Sequence, residues 1–137
     1  MNKRVAGLRG MALAVLALGT LAGPVRADAG SARDADFLAA LQQAVADDDH
    51  AAVSDMVTYP FRISTGTVST PEQFLKYYDA IFTAKVKRAI ANQSADSLFY
   101  RDQGVMIGDG EVWFNAFCDD GGQDCDAPQD KIFSFNN

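Results

Sequence analysis

Thr70-Pro-Glu-Gln-Phe-Leu-Lys-Tyr-Tyr-Asp-Ala-Ile-Phe82 is the stretch on which the fold turns. Thr70 is an N-cap residue, Pro71 suits the first helical position because an N–H there has no intrahelical partner, and Gln73 completes a capping box. Behind that start Phe74, Tyr77, Tyr78, Ile81 and Phe82 recur at helical spacing and form one broad aromatic face. A helix with such a face must pack on something large. Thr83 is placed to cap a continuation in which Val86 and Ile90 turn to the same core, while Lys85, Lys87 and Arg88 stay in solvent.

Upstream, Phe37, Leu38, Leu41 and Val45 predict a helix from Asp36 to about Ala46, with Asp34 or Asp36 as its N-cap. Asp47-Asp48-Asp49 offers a cap for a second, short helix carrying Val53, Met56 and Val57, which Pro60 ends. After Pro60 the period drops to two. Phe61 and Ile63 alternate with Arg62 and Ser64, and Thr65-Gly66 turns the chain into Thr67-Val68, which reads as a strand and the first arm of a small hairpin.

Downstream the chain is β in character. Leu98-Phe-Tyr100, Val105-Met-Ile107 and the run from Glu111 to Cys118 are separated by Arg101-Asp-Gln-Gly104 and Gly108-Asp-Gly110, which predicts three strands in a meander. Val112, Phe114 and Ala116 alternate with Trp113, Asn115 and Phe117, so the third strand is apolar on both faces and is expected mid-sheet. Lys131-Ile-Phe-Ser-Phe135 can return as a fourth strand. Early helices and late strands make an α+β pattern, with helices packed on a curved antiparallel sheet of four to five strands.

That order resembles the nuclear-transport-factor-2-like superfamily, whose cone-shaped fold uses helices to close the concave face of a bent sheet. The phrases Tyr59-Pro-Phe-Arg-Ile-Ser64, Phe74-Leu-Lys-Tyr-Tyr-Asp-Ala-Ile-Phe82 and Gly104-Val-Met-Ile-Gly-Asp-Gly-Glu-Val-Trp-Phe114 also resemble a group of small exported bacterial proteins of undefined role. The resemblance implies a cone with a cavity, but a superfamily of isomerases, dehydratases, carrier domains and protein-binding modules implies no single activity. Its enzymes place an aspartate base or an Asp–His pair inside the cone, and no acid of this chain aligns onto those positions.

The two ends of the chain bear on its compartment. Lys3, Arg4 and Arg9 precede the 12-residue apolar run from Met11 to Ala22, and Gly23-Pro24 and Val25-Arg26-Ala27 follow it, the order of a cleavable signal peptide. The run is shorter than the roughly 20 residues that span a bilayer, so no stable membrane anchor is expected. It carries no cysteine for a lipid, and Lys3-Arg4 is not a twin-arginine pair. The expected division is a leader over residues 1–27, cut after Ala27 on the way to a bacterial periplasm, and a single domain over 28–137.

Losing Lys3, Arg4, Arg9 and Arg26 from 12 basic residues leaves 8 against 18 acidic ones, a formal charge of −10. That sign repels nucleic acid and anionic lipid and favours a basic protein partner, although solubility alone also accounts for it. Cys118 and Cys125, the only cysteines, are expected to form a disulfide in an oxidising compartment. Closing so short a loop is worth roughly 2–3 kcal/mol through the unfolded chain.

The candidate chemistry is sparse. Tyr59, Arg62, Tyr78, Asp79 and Trp113 are candidates to line a cavity that holds a small polar ligand, against the plainer reading of core aromatics with a wet edge. His50 follows three aspartates, but successive side chains on a helix diverge, which favours a solvated helix start over an acid–base pair or metal site. Asp119, Asp120, Asp124 and Asp126 crowd the disulfide loop, and Asp109 and Glu111 flank the turn at Gly108-Asp-Gly110. They lack the spacing of a calcium loop and are candidates for contact with a partner. No phosphate loop, catalytic triad, zinc or nucleotide motif is present, so no cofactor and no metal is expected. The expectation is a periplasmic, non-enzymatic protein-binding domain, one form being an inhibitor or immunity protein against a secreted toxin or cell-wall hydrolase. The second expectation is a small-molecule binder or lyase/isomerase working in the cone.

Overall fold

A computed structural model describes residues 29–63 and 65–137; the expected leader lies outside the described residues. The chain runs through α1 (Ala29–Ala46), α2 (His50–Asp55), β1 (Phe61–Ile63), β2 (Gly66–Val68), α3 (Pro71–Ile81) and α4 (Ala84–Asn92). A 3-10 turn (Ala95–Ser97) then leads into β3 (Phe99–Arg101), β4 (Gly104–Ile107), β5 (Val112–Phe117) and β6 (Gln129–Phe135). The fold class is α+β, as the order of periods predicts. Among the described residues no helix is long and apolar enough to cross a membrane.

The caps behave as their residue types dictate. Thr70 Oγ1 accepts from Gln73 N at 3.3 Å, Thr83 Oγ1 from Val86 N at 3.3 Å, and Asp49 Oδ1 from Ala52 N at 3.0 Å. Gln73 reaches back one residue further than a standard capping box, to Ser69 N at 2.8 Å. On α3, Phe74, Tyr78 and Ile81 are buried, and Phe82 is buried at the helix end. Tyr77, expected on the same face, is 41 % exposed.

Helix α1 is longer at its start than the pattern predicts. It begins at Ala29 and carries Asp34 inside it, so neither Asp34 nor Asp36 caps it. The reason is that Asp34 stands one helical turn before Phe37 and Leu38, on the stripe that turns to the core.

The meander has the order β3-β4-β5-β6 with every pair antiparallel, and β5 lies inside the sheet as its two-faced pattern requires. A bulge between Trp113 and Phe114 shifts the register against β6. The hairpin β1–β2 forms a separate two-stranded sheet rather than a fifth strand. The free edge of β6 is already taken at Ile132, whose N–H donates to Met56 O and whose carbonyl accepts from Thr58 N, each at 2.8 Å. Packed between helices and sheet are Phe61, Phe74, Tyr78, Phe82, Phe114 and Phe135, all buried.

Candidate functional site

The five candidates for a cavity do not converge. Tyr78 is enclosed by rings: His50 stacks on it at 3.6 Å between centroids, Phe82 at 4.6 Å, and Phe74 meets it edge-on at 5.7 Å. Burial, then the charges of Asp48 and Asp79, push its hydroxyl up to about 12, so it is no proton donor near neutral pH. Among the described residues nothing hydrogen-bonds that hydroxyl. Asp79, next along the helix, is exposed.

Tyr59 is half-buried and its hydroxyl is held by Ser54, at 2.8 Å from Oγ and 3.2 Å from the carbonyl oxygen. Burial raises its pKa despite the Ser54 bond. Arg62 is exposed on β1, beside a cleft it shares with Pro60, Phe61 and Phe133. Trp113 lies on the far side of β5 from Phe114, next to Asp109, Gly110 and Asn136.

The space a cone cavity would occupy holds rings of the chain itself. Phe135 lies 5.2 Å from both Phe61 and Phe82, Phe61 lies 6.2 Å from Phe74, and Phe37 of α1 lies 4.7 Å from Phe114.

The acidic candidates divide into two groups. Asp119, Asp120, Asp124 and Asp126 are exposed on the loop closed by the Cys118–Cys125 disulfide. That loop is ordered by its own backbone: Cys118 N donates to Gly122 O at 2.8 Å, Gly121 N to Cys118 O at 2.9 Å, and Gly122 N to Asp120 Oδ1 at 2.9 Å. Between it, Tyr59 and Phe117 lies a groove of about 510 Å³.

Glu111 differs, for its side chain is buried. Its Oε2 accepts from Asp109 N at 2.6 Å and its Oε1 lies 3.5 Å from Lys85 Nζ. Burial alone would raise this carboxyl, but the Glu111 and Asp109 amides and the Lys85 ammonium hold it below the usual range. Gly108 makes the arrangement possible, since at φ +67° a Cβ there would strike Glu111 Oε2 and Ala89. Asp109 itself stays exposed, while Glu111 pins the turn that carries it.

Sequence reasoning did not single out a second buried group. Arg33 Nε donates to both oxygens of Asp130 at 3.0 Å, its Nη2 lies 3.6 Å from Asp34, and both aspartates are buried. Burial and the neighbouring Asp34 raise the Asp130 pKa against the pull of Arg33. Two signals pointed to it: Asp34 on the apolar stripe of α1, and Asp130 two residues before Ile132, on the same face of β6. His50 is half-buried against Tyr78 rather than solvated, with Nε2 at 4.0 Å from Asp48 Oδ1. No group of three or more His, Cys, Asp or Glu side chains among the described residues has the arrangement of a metal site.

Fold and surface together define an exported-type α+β domain filled by its own aromatic side chains, whose candidate contacts lie outside the core. Compared with protein-family models, with curated proteins and with solved structures, the chain finds no match.

Proposed function

We propose that the chain is a non-enzymatic protein-binding domain of the periplasm, and in its most concrete form an inhibitor or immunity protein that neutralises a basic toxin or cell-wall hydrolase. The observation that carries this reading is the filled interior, in which Phe61, Phe74, Tyr78, Phe82 and Phe135 occupy the place of a cone cavity. With the interior closed, recognition falls to the surface. The excess of 18 acidic over 8 basic residues beyond the leader favours a partner of opposite charge. The exposed aspartates of the disulfide loop are where that charge is most concentrated along the chain.

The nuclear-transport-factor-2-like relationship belongs to the same proposal. Helices first, a meander last and an aromatic helix packed between them support it. The alternative, a small-molecule binder or lyase/isomerase, needs Tyr59, Arg62, Tyr78, Asp79 and Trp113 to meet in one cavity, and their separate environments count against it.

The test is a pull-down from native envelopes and from competing cells with tagged protein spanning residues 28–137. Recovery of one stoichiometric partner that salt releases is the expected result, and a hydrolase or toxin in that role establishes the inhibitor form. Repeated recovery of nothing under gentle conditions overturns the proposal in favour of a small-molecule ligand.

A further inference from the structure

Only one face of the meander meets the helices. On that side Val105, Ile107, Val112, Phe114, Ile132 and Phe135 are buried. On the other side the register sets Phe99 opposite Met106 and Met106 opposite Trp113, which makes one apolar row across three strands. Phe117 falls on the same face as Trp113 by the two-residue period, and its ring lies 6.2 Å from that of Phe133. Phe99 is 46 % exposed, and Met106, Trp113, Phe117 and Phe133 are half-buried. A solvated sheet face ordinarily carries polar side chains, and a contiguous apolar patch with a polar rim marks a contact surface.

We propose that this outer face docks a basic protein, with the partner's apolar side chains on the row and its cationic ones at the disulfide loop. The inference rests on the protein-binding reading above and says where the partner sits. Charge selects the occupant. Where β5 runs off this face into Cys118, the exposed Asp119, Asp120, Asp124 and Asp126 follow at once. The β3–β4 turn with Asp102 lies at the same end, for Asn115 Nδ2 donates to Gln103 O at 3.1 Å.

The cations nearby are engaged within the chain. The Lys131 ammonium donates to Asp55 O, and the Arg101 guanidinium sits 5.1 Å over the Phe99 ring. The groove between Tyr59, Phe117 and Asp119–Asp120 has room for a long cationic side chain, its stem on the rings and its head at the carboxylates. A second copy would instead bring up another chain of the same net sign, which like charge opposes.

Trp113 is the only tryptophan of the chain, so its emission reports on this face alone. The full chain, carrying the photo-crosslinker p-benzoylphenylalanine in place of Phe117 or, as a control, of exposed Leu75 on α3, is irradiated in envelopes of the producing cells and of competing cells. A basic protein cross-linked from position 117 and not from 75 is the expected result. Adding that protein, once purified, should shift Trp113 emission to shorter wavelength, and Phe117→Ser and Phe133→Ser should each weaken binding by about tenfold or more. Should either variant fail to fold, Asp119→Lys with Asp124→Lys takes its place, with the same loss expected. A chain cross-linked to itself, an acidic partner, equal capture from both positions, or binding without a Trp113 shift overturns the outer face and leaves the protein-binding reading standing. No partner in either the pull-down or the cross-linking overturns both.

Discussion

Phe114 and Trp113 are neighbours on β5 and face opposite ways, and the difference between their surroundings is the difference between folding and contact. Phe114 is 0 % exposed, with the Phe37 ring 4.7 Å away and Val105 opposite it on β4. Trp113 has Met106 opposite and a half-open surface. Apolar character in a strand therefore has two meanings, and only the layer that covers it tells them apart. Phe114→Ala should cost about 3–5 kcal/mol in urea denaturation, because a buried ring leaves a cavity behind. Trp113→Ala should cost under about 1 kcal/mol, as substitutions away from a packed core do. Equal losses at the two positions would erase the contrast between the faces.

The disulfide sharpens the contrast from the outer end. The loop from Cys118 to Cys125 is exposed over most of its length, yet Cys118→Ser combined with Cys125→Ser should cost about 2–3 kcal/mol, through the unfolded chain rather than through lost contacts. Near-UV circular dichroism of the folded variant should remain that of the parent. A collapse of core signals on removal of the bridge would show that the loop supports the inner face.

Tyr78 tests whether the inner layer is closed. Its hydroxyl is buried and has no partner among the described residues. Tyr78→Phe removes a desolvated group and keeps the ring stack, so stability should stay level or rise by up to about 1 kcal/mol. A loss of more than that in thermal unfolding would mean that the hydroxyl holds a group the fold depends on.

The two buried carboxylates at the edges of this layer carry opposite pH signatures. Glu111 has its pKa lowered, so its stabilisation is present above the unfolded carboxylate range and is lost as pH falls through the folded value. Asp130 has its pKa raised, so the folded state binds the proton more tightly and its contribution falls as pH rises through the folded value. Between about pH 3 and 6 the penalty of Glu111→Gln should therefore shrink as pH falls. Asp130→Asn should become relatively more favourable as pH rises over the same range. Parallel stability–pH curves for both variants would remove the distinction between a carboxylate held by amides and lysine and one that shares Arg33 with Asp34.

Most of the inner layer was legible in the sequence, because helix caps and apolar periods are local. Thr70, Thr83 and Asp49 cap the helices that their positions predict, and the turns at 101–104 and 108–110 separate the strands of the meander. What was not legible depends on pairing between distant segments. Nothing near Glu111 in sequence announces Lys85, and Arg33 lies 97 residues from Asp130. The separate hairpin follows from Met56 and Thr58 taking the β6 edge, a competition between segments that no local period encodes. The cavity candidates were chosen as polar groups on apolar faces, but Tyr78 turns into the core while Asp79, one position on, turns to water.

The smallest effect on stability should come from the loop charges, and there the outer end parts most sharply from the core. Asp120 accepts from Gly122 N and shapes the turn, so the reversal that isolates charge is Asp119→Lys with Asp124→Lys and Asp126→Lys. These side chains are exposed, and altering them should move the unfolding free energy by no more than about 0.5 kcal/mol. Association with a basic partner should nevertheless slow markedly at low salt and converge on the parent's rate as salt screens the field, because steering acts on encounter more than on the docked contact. Stopped-flow association on the Trp113 signal, followed from low to physiological ionic strength, separates the possibilities. An unchanged rate at low salt would remove the loop from the approach path and leave docking to the aromatic row alone, whereas a rate lowered equally at every salt concentration would place the loop in direct contact rather than in steering.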